Sequence, residues 1–347
     1  MSRPQDDEDG EADEVAKGGA GMDVLTGDER LAIPAKRKDS VIAVDALTKR
    51  FGDHLAVRDL SFTVPWGKVT GFLGPNGAGK TTTLRILLGL AAPTSGTATI
   101  LGRSYAELGD PARNVGVLID PAVYHPRRSA RDHLRVMAAA ASLADRRVDE
   151  VLEIVELTNS ADKKVGEFST GMRQRLGLAA ALLGEPRVLV LDEPANGLDP
   201  SGIRWLRQFL KSFASVGNAV FVSSHVLFEM AETADEVVVI NRGRLVVHAT
   251  VHELVTKATR VVRVRSPQAH RLEMLLREKD LMPQQESHDE LSVRGTTPER
   301  IGDLAAEAGA VLHWLDAQVQ SLEDIFLELT DNTRPRTSPS DHREGNR

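Results

Sequence analysis

The pattern of apolar and polar positions changes character three times along the chain. Up to about residue 40 apolar residues are scattered, without a period. From Val41 short β-branched runs appear: Val41–Val44, Leu60–Val64 and Val69–Leu73 predict strands, with a turn at Pro65-Trp-Gly67. A helix is predicted to about Leu90, then a turn at Pro93-Thr-Ser-Gly96 and strands over Thr97–Leu101 and Val115–Ile119. From about residue 127 to 183 the spacing becomes helical, as in Leu134, Val136 and Met137 or Val151, Leu152, Ile154 and Val155. Arg187–Leu191 and Ala219–Ser223 return to buried strands, and Glu236–Ile240 with Arg244–Val247 closes a first unit near residue 255.

A second texture runs from Arg260 to Thr330. Strands are predicted over Val261–Arg265, Glu290–Val293 and Val311–Leu315. Helices are predicted to open at Ser266-Pro267, at Thr297-Pro298 and at the capping box Ser321-Leu-Glu-Asp324. The expectation is an α/β chain: a domain over 41–258 holding a helical segment at about 121–185, then a small α/β domain of β-α-β-α-β-α order over 259–331. Residues 1–40 and 332–347 are expected to be disordered tails.

Charge sharpens this division. The net charge of −7 is carried entirely by residues 1–30, where ten acids face three bases. The folded part is balanced, so net charge implies no nucleic-acid face, and no nucleic-acid partner is expected. Lys36-Arg-Lys38 is read as a solvated linker. Cysteine is absent, which excludes disulfides and thiolate metal sites. No apolar run approaches the ~18 residues of a membrane span. The expected location is therefore cytoplasmic, with any membrane role exercised through a partner.

Two segments carry the chemistry. Gly74-Pro-Asn-Gly-Ala-Gly-Lys-Thr-Thr82 matches G-x-x-x-x-G-K-[ST] between a strand and a helix. Glycines let the backbone wrap a phosphate closely, and the helix N-terminus adds unpaired N–H donors. Lys80 is expected to reach the β- and γ-phosphates and the Thr81 hydroxyl to ligate Mg²⁺. The second segment, Val188–Leu191, ends in Asp192 and Glu193. Period-2 alternation sends adjacent side chains to opposite faces, so Asp192 is assigned to Mg²⁺ and Glu193 to general-base work on the attacking water.

With these segments the chain resembles the ATPase subunit of an ATP-binding cassette (ABC) transporter over about residues 41–255. Three more segments carry the likeness. Phe168-Ser-Thr-Gly-Met172 resembles the signature sequence LSGGQ, and Asn196-Gly-Leu-Asp199 the loop that crosses the dimer interface. Ser223-Ser-His225 resembles the switch histidine, and Phe51 matches the aromatic that stacks on adenine. The resemblance implies a P-loop core with an antiparallel β subdomain and a helical subdomain. ATP would be held by Phe51, Gly74, Asn76, Gly77, Gly79, Lys80, Thr81 and Thr82, with Mg²⁺ at Thr81, Asp192 and Asp120. Asp120 stands where the family usually has glutamine, and Thr170 and Met172 depart from LSGGQ.

The resemblance further implies a head-to-tail homodimer, in which Ser169, Gly171 and Asp199 of one copy complete the other copy's site. It also implies a separate integral membrane permease, and a place on the inner face of the membrane through that permease. The signature variant and the appended domain resemble the subfamily that drives antibiotic, peptide or multidrug export. The rival readings are a soluble ABC ATPase acting on ribosomes or DNA and a degenerate nucleotide-dependent regulator. Neither tandem cassettes nor a long coiled-coil insertion is present for the first, and Lys80, Asp192, Glu193 and His225 are intact against the second.

Overall fold

The computed structural model describes residues 40–119, 124–226, 230–256 and 260–319. The two expected tails, Asp120 and the capping box at 321–324 lie outside these residues, except that Ser40 already belongs to the first strand.

The strands are β1 (Ser40–Phe51), β2 (His54–Pro65), β3 (Val69–Leu73), β4 (Ser95–Ile100), β5 (Val115–Leu118), β6 (Val188–Asp192), β7 (Ala219–Ser224), β8 (Glu236–Asn241) and β9 (Arg244–Thr250). Further on come β10 (Arg260–Arg265), β11 (Pro283–Gln285), β12 (Glu290–Arg294) and β13 (Trp314–Val319). The helices are α1 (Lys80–Leu87), α2 (Pro111–Asn114), α3 (Ala130–Ala140), α4 (Arg146–Ile154), α5 (Thr170–Leu182) and α6 (Pro200–Ser215). They continue with α7 (Val251–Thr256), α8 (Ala269–Glu278) and α9 (Pro298–Glu307).

A six-stranded sheet of order β5-β6-β7-β3-β8-β9 forms the centre, parallel except for β9. Its inner strands are apolar on both faces, as a sheet covered on both sides requires. Alternate residues feed different cores. Leu189, Leu191, Val220 and Val222 pack with α3, α4 and α5, whereas Val188, Val190, Ala219 and Phe221 pack with α1 and the antiparallel sheet β2-β1-β4. Phe62, Phe72 and Phe221 join those two sheets, with ring centroids 5.2–5.5 Å apart. Such pairs contribute ~0.5–1.5 kcal/mol each beyond area burial. The fold is the expected α/β core with an antiparallel sheet and a helical segment.

Several boundaries differ from expectation. β1 and β2 run on into a hairpin whose ends meet at Phe51 and His54. α1 stops at Leu87, because Gly89 turns left-handed (φ +69°) and Leu90 N–H closes back on Arg85 O at 2.8 Å. The stretch read as mostly helical holds the three helices α3, α4 and α5, as expected. α3 and α4 end in the same closure, Leu143 N–H on Ala138 O and Leu157 N–H on Leu152 O, both 2.8 Å. Their left-handed residues are Ser142 and Glu156, so no glycine announces the stops.

The C-terminal unit is an antiparallel sheet of order β11-β12-β10-β13 with its own core, in which Leu272, Leu276, Ile301 and Leu304 pack on Val262, Val264, Leu291 and Val293. Its order through β13 is β-α-β-β-α-β, because the polar strand β11 lacks the alternation that would have signalled it. The strand expected at Val311–Leu315 begins instead at Trp314. Ala310 N–H closes α9 on Ala305 O at 2.8 Å, and Val311 N–H is taken by Gln268 Oε1 at 3.0 Å. α8 likewise opens at Ala269: Ser266 Oγ accepts the Gln268 N–H in a turn, so Pro267 precedes the helix and does not begin it.

Candidate active site

The loop between β3 and α1 is fixed by close packing. Gly79 caps α1 at φ +106°, and a Cβ there would stand 2.6 Å from Ala56 O. A Cβ on Gly74 would stand 2.5 Å from Ile240 O. The glycines therefore leave a cradle that larger residues would close. Lys80 is 6% exposed; its Nζ donates to Gly74 O at 2.6 Å and pairs with Glu193 Oε1 at 3.3 Å. Thr81 Oγ1 donates to Asp192 Oδ2 at 2.8 Å.

β6 brings both carboxylates to this loop. Asp192, its last residue, also accepts from Ser223 Oγ, which stands opposite it in the parallel register with β7. Glu193 accepts from His225 Nδ1 on Oε2 at 2.8 Å. An ionised carboxylate only accepts, so Nδ1 carries the proton and Nε2 is left as an acceptor in the neutral ring. The two acids do point to different partners, but not through strand alternation. Glu193 lies beyond the strand at φ +49°, and that turn swings its carboxylate between Lys80 and His225.

A cleft of about 440 Å³ opens over the loop, bounded by Phe51, Asn76, Gly77, Thr82, Asn196 and His225, with Lys80, Thr81 and Glu193 in its floor. Phe51 is 53% exposed at the cleft edge, with Lys49 Nζ 4.7 Å from its ring centroid. The volume, the cradle and a flat exposed aromatic fit a nucleoside triphosphate. Thr81 and Asp192 are hard oxygen donors meeting at one point, a set suited to Mg²⁺.

Ser169 and Gly171 are not among the residues that bound this cleft. Ser169 is the N-cap of α5, exposed, its Oγ accepting the Met172 N–H at 3.2 Å. Gly171 packs on the Gly197–Leu198 turn of the same chain. Asp199 caps α6, accepting from Gly202 N–H at 2.9 Å and Ser201 Oγ at 2.7 Å. Those bonds, the Ser201 hydroxyl first and then the Gly202 amide, hold its carboxyl below the usual carboxylate range. Asp120 lies outside the described residues.

Two residues that sequence reasoning passed over belong to the site. Ser223 ties Asp192 to the Glu193 N–H, and Gln174 on α5 donates to the Glu193 carbonyl. Ser223 lies in the segment that carries the histidine, and only the strand register reveals its hydroxyl's task.

A P-loop cradle, a strand-end acid pair and a switch-like histidine on a parallel sheet define a nucleotide-hydrolysing ATPase core. The ABC transporter family model matches residues 57–196. The bacitracin transport ATP-binding protein BcrA of Bacillus licheniformis is 35% identical over 297 residues, 84% of this chain and 97% of that protein. The lantibiotic transport ATP-binding protein SrtF of Streptococcus pyogenes is 36% identical over 59% of this chain and 89% of its own length. Among solved structures, cbiO1 from Clostridium perfringens, part of the ABC transporter complex cbiONQ, aligns at 26% identity with a TM-score of 0.57, over 63% of this chain and 92% of that one. This chain belongs to the ATP-binding subunits of ABC transporters and is an ATPase of that family. Residues 260–323 match a domain of unknown function.

Proposed function

We propose that this ATPase hydrolyses Mg²⁺-ATP at a head-to-tail interface between two copies and drives a separate membrane permease that exports an antibiotic or peptide. The observation that carries the reading is the Glu193 carboxylate held between Lys80 and His225, beside the Thr81–Asp192 pair. Within that arrangement Lys80, Thr81 and the loop amides bind and orient the triphosphate, and Thr81 with Asp192 would hold Mg²⁺. The metal supplies charge neutralisation on the phosphate oxygens. Glu193 takes the proton of the attacking water, and His225 keeps the carboxylate aimed.

The exposed N-cap Ser169 supports completion of the site by a second copy, since a hydroxyl at a helix N-terminus away from its own cleft is suited to a neighbour's phosphate. Among the described residues no helix is long and apolar enough to cross a membrane, which supports a separate permease. The bacitracin and lantibiotic transport relatives support an antibiotic or peptide cargo.

The test is reconstitution of the purified chain with an integral membrane permease encoded in an adjoining reading frame, in vesicles, with uptake of bacitracin and a lantibiotic followed as ATP is added. ATP-dependent uptake of either, lost in Lys80→Ala, is expected. Robust ATPase activity without movement of any peptide in the panel would overturn the cargo assignment. Failure of the chain to associate with that permease would overturn the transport reading.

A further inference from the structure

Glu193 stands at φ +49°, a conformation that a residue with a Cβ holds only when its surroundings impose it. Both of its main-chain polar groups are gripped. Its N–H donates to Ser223 Oγ at 3.0 Å, and its carbonyl accepts from the Asn196 N–H at 3.1 Å and from Gln174 Nε2 at 3.2 Å. We propose that Gln174 is a positioning residue for hydrolysis: from α5 it holds the Glu193 main chain in the left-handed pose that aims the carboxylate between Lys80 and His225.

Packing alone does not explain an amide at this position. Gln174 is 4% exposed and lies among Leu118, Leu178, Pro194, Leu198 and Trp205. Its Oε1 is buried without a hydrogen-bond partner among the described residues. A buried acceptor left unpaired costs stability, whereas methionine of the same length would fill the space free of that cost. Turning the amide over would set Oε1 against the Glu193 carbonyl oxygen, so the contact itself fixes which end faces the acid. Removing Gln174 would not orphan the carbonyl, because the Asn196 N–H remains on it. What it would remove is the one donor that reaches this peptide from α5, whose N-cap is Ser169.

The inference rests on Glu193 acting as the base, and the experiment separates the two. ATP turnover, ATP affinity and thermal unfolding are measured for the full chain and for Q174M, E193Q and the double variant. Q174M is expected to lower kcat by about ten- to hundredfold. KM and ATP affinity should stay within about twofold, and the unfolding temperature should be unchanged or raised. In the E193Q background Q174M is expected to cost nothing further, since the group it positions is already disabled. Unimpaired turnover in Q174M beside an inactive E193Q would overturn this inference alone. So would a kcat loss accompanied by a lowered unfolding temperature, or a loss of equal size in both backgrounds. Normal turnover in E193Q would overturn the base assignment and this inference with it.

Discussion

Thr81 and Asp192, 111 positions apart, meet in a hydrogen bond of 2.8 Å between the Thr81 hydroxyl and Asp192 Oδ2. One comes from the first turn of α1 and the other from the last residue of β6, so the bond closes the phosphate loop onto the central sheet. Two hard oxygens held together in this way suit a divalent cation. T81V and D192N are each expected to raise the Mg²⁺ concentration for half-maximal ATPase activity by at least about tenfold, equivalent to one charge-assisted contact. T81S, which keeps the hydroxyl, should behave as the parent protein. Unchanged Mg²⁺ titrations in both disabling variants would remove these residues from the metal.

Glu193 is the group whose loss should separate binding from chemistry. E193Q keeps the shape of the side chain but takes no proton. Phosphate release should fall by ~10²–10⁴-fold while Mg²⁺-ATP still binds. With hydrolysis stopped, the ATP-bound protein should elute as a dimer in size-exclusion chromatography with light scattering, and the parent protein should do so only transiently. Normal phosphate release from E193Q would exclude it from the base role.

The loop and the acid pair were legible in the sequence because their chemistry needs fixed residue types at fixed offsets from a strand end. Less legible was everything set by pairing across the fold. The hydroxyl of Ser223 acquires its role from a parallel register that places it opposite Asp192, and Gln174 acquires its role from the closeness of α5 to the β6 turn. Strand alternation predicts that Asp192 and Glu193 diverge, but the left-handed turn at Glu193 produces the divergence and not the pleat. Helix ends were missed where Ser142 and Glu156 occupy the left-handed closing position, because neither residue type signals a stop. In the C-terminal unit the apolar run from Val311 suggests a strand, but the Ala310 amide just before it closes α9 and the run's first amide, of Val311, goes to Gln268.

Gly197 marks a close approach between α5 and the turn after the acid pair. It stands at φ +78°, and a Cβ there would lie 2.4 Å from Thr170 Cγ2. G197A should therefore be destabilised by about 1–3 kcal/mol, from backbone strain and from displacement of Thr170. Adding T170S removes the clashing methyl and should restore part of that loss, leaving the backbone share. Urea unfolding of the three variants measures it. A G197A protein as stable as the parent would show that the turn and α5 are free to separate.

His133 makes the stability of the helical segment depend on pH. It lies on α3, 9% exposed, with its ring edge-on to Tyr124 at 5.1 Å, and its Nδ1 is buried with no hydrogen-bond partner among the described residues. Burial first, and the Arg128 charge second, hold its imidazole below the ordinary value of 6.5. The folded chain therefore refuses a proton that the unfolded chain accepts once the pH falls below about 6.5. The stability is fully present above that point and declines as the pH falls toward the depressed value of the folded state. His133→Gln removes the titrating group, so its stability should fall less between about pH 8 and about pH 5.5 than that of the parent protein. Because all other groups titrate in both proteins, the difference between the two urea-midpoint curves isolates His133. Parallel curves across that range would mean that the buried imidazole accepts its proton as readily as an unfolded one.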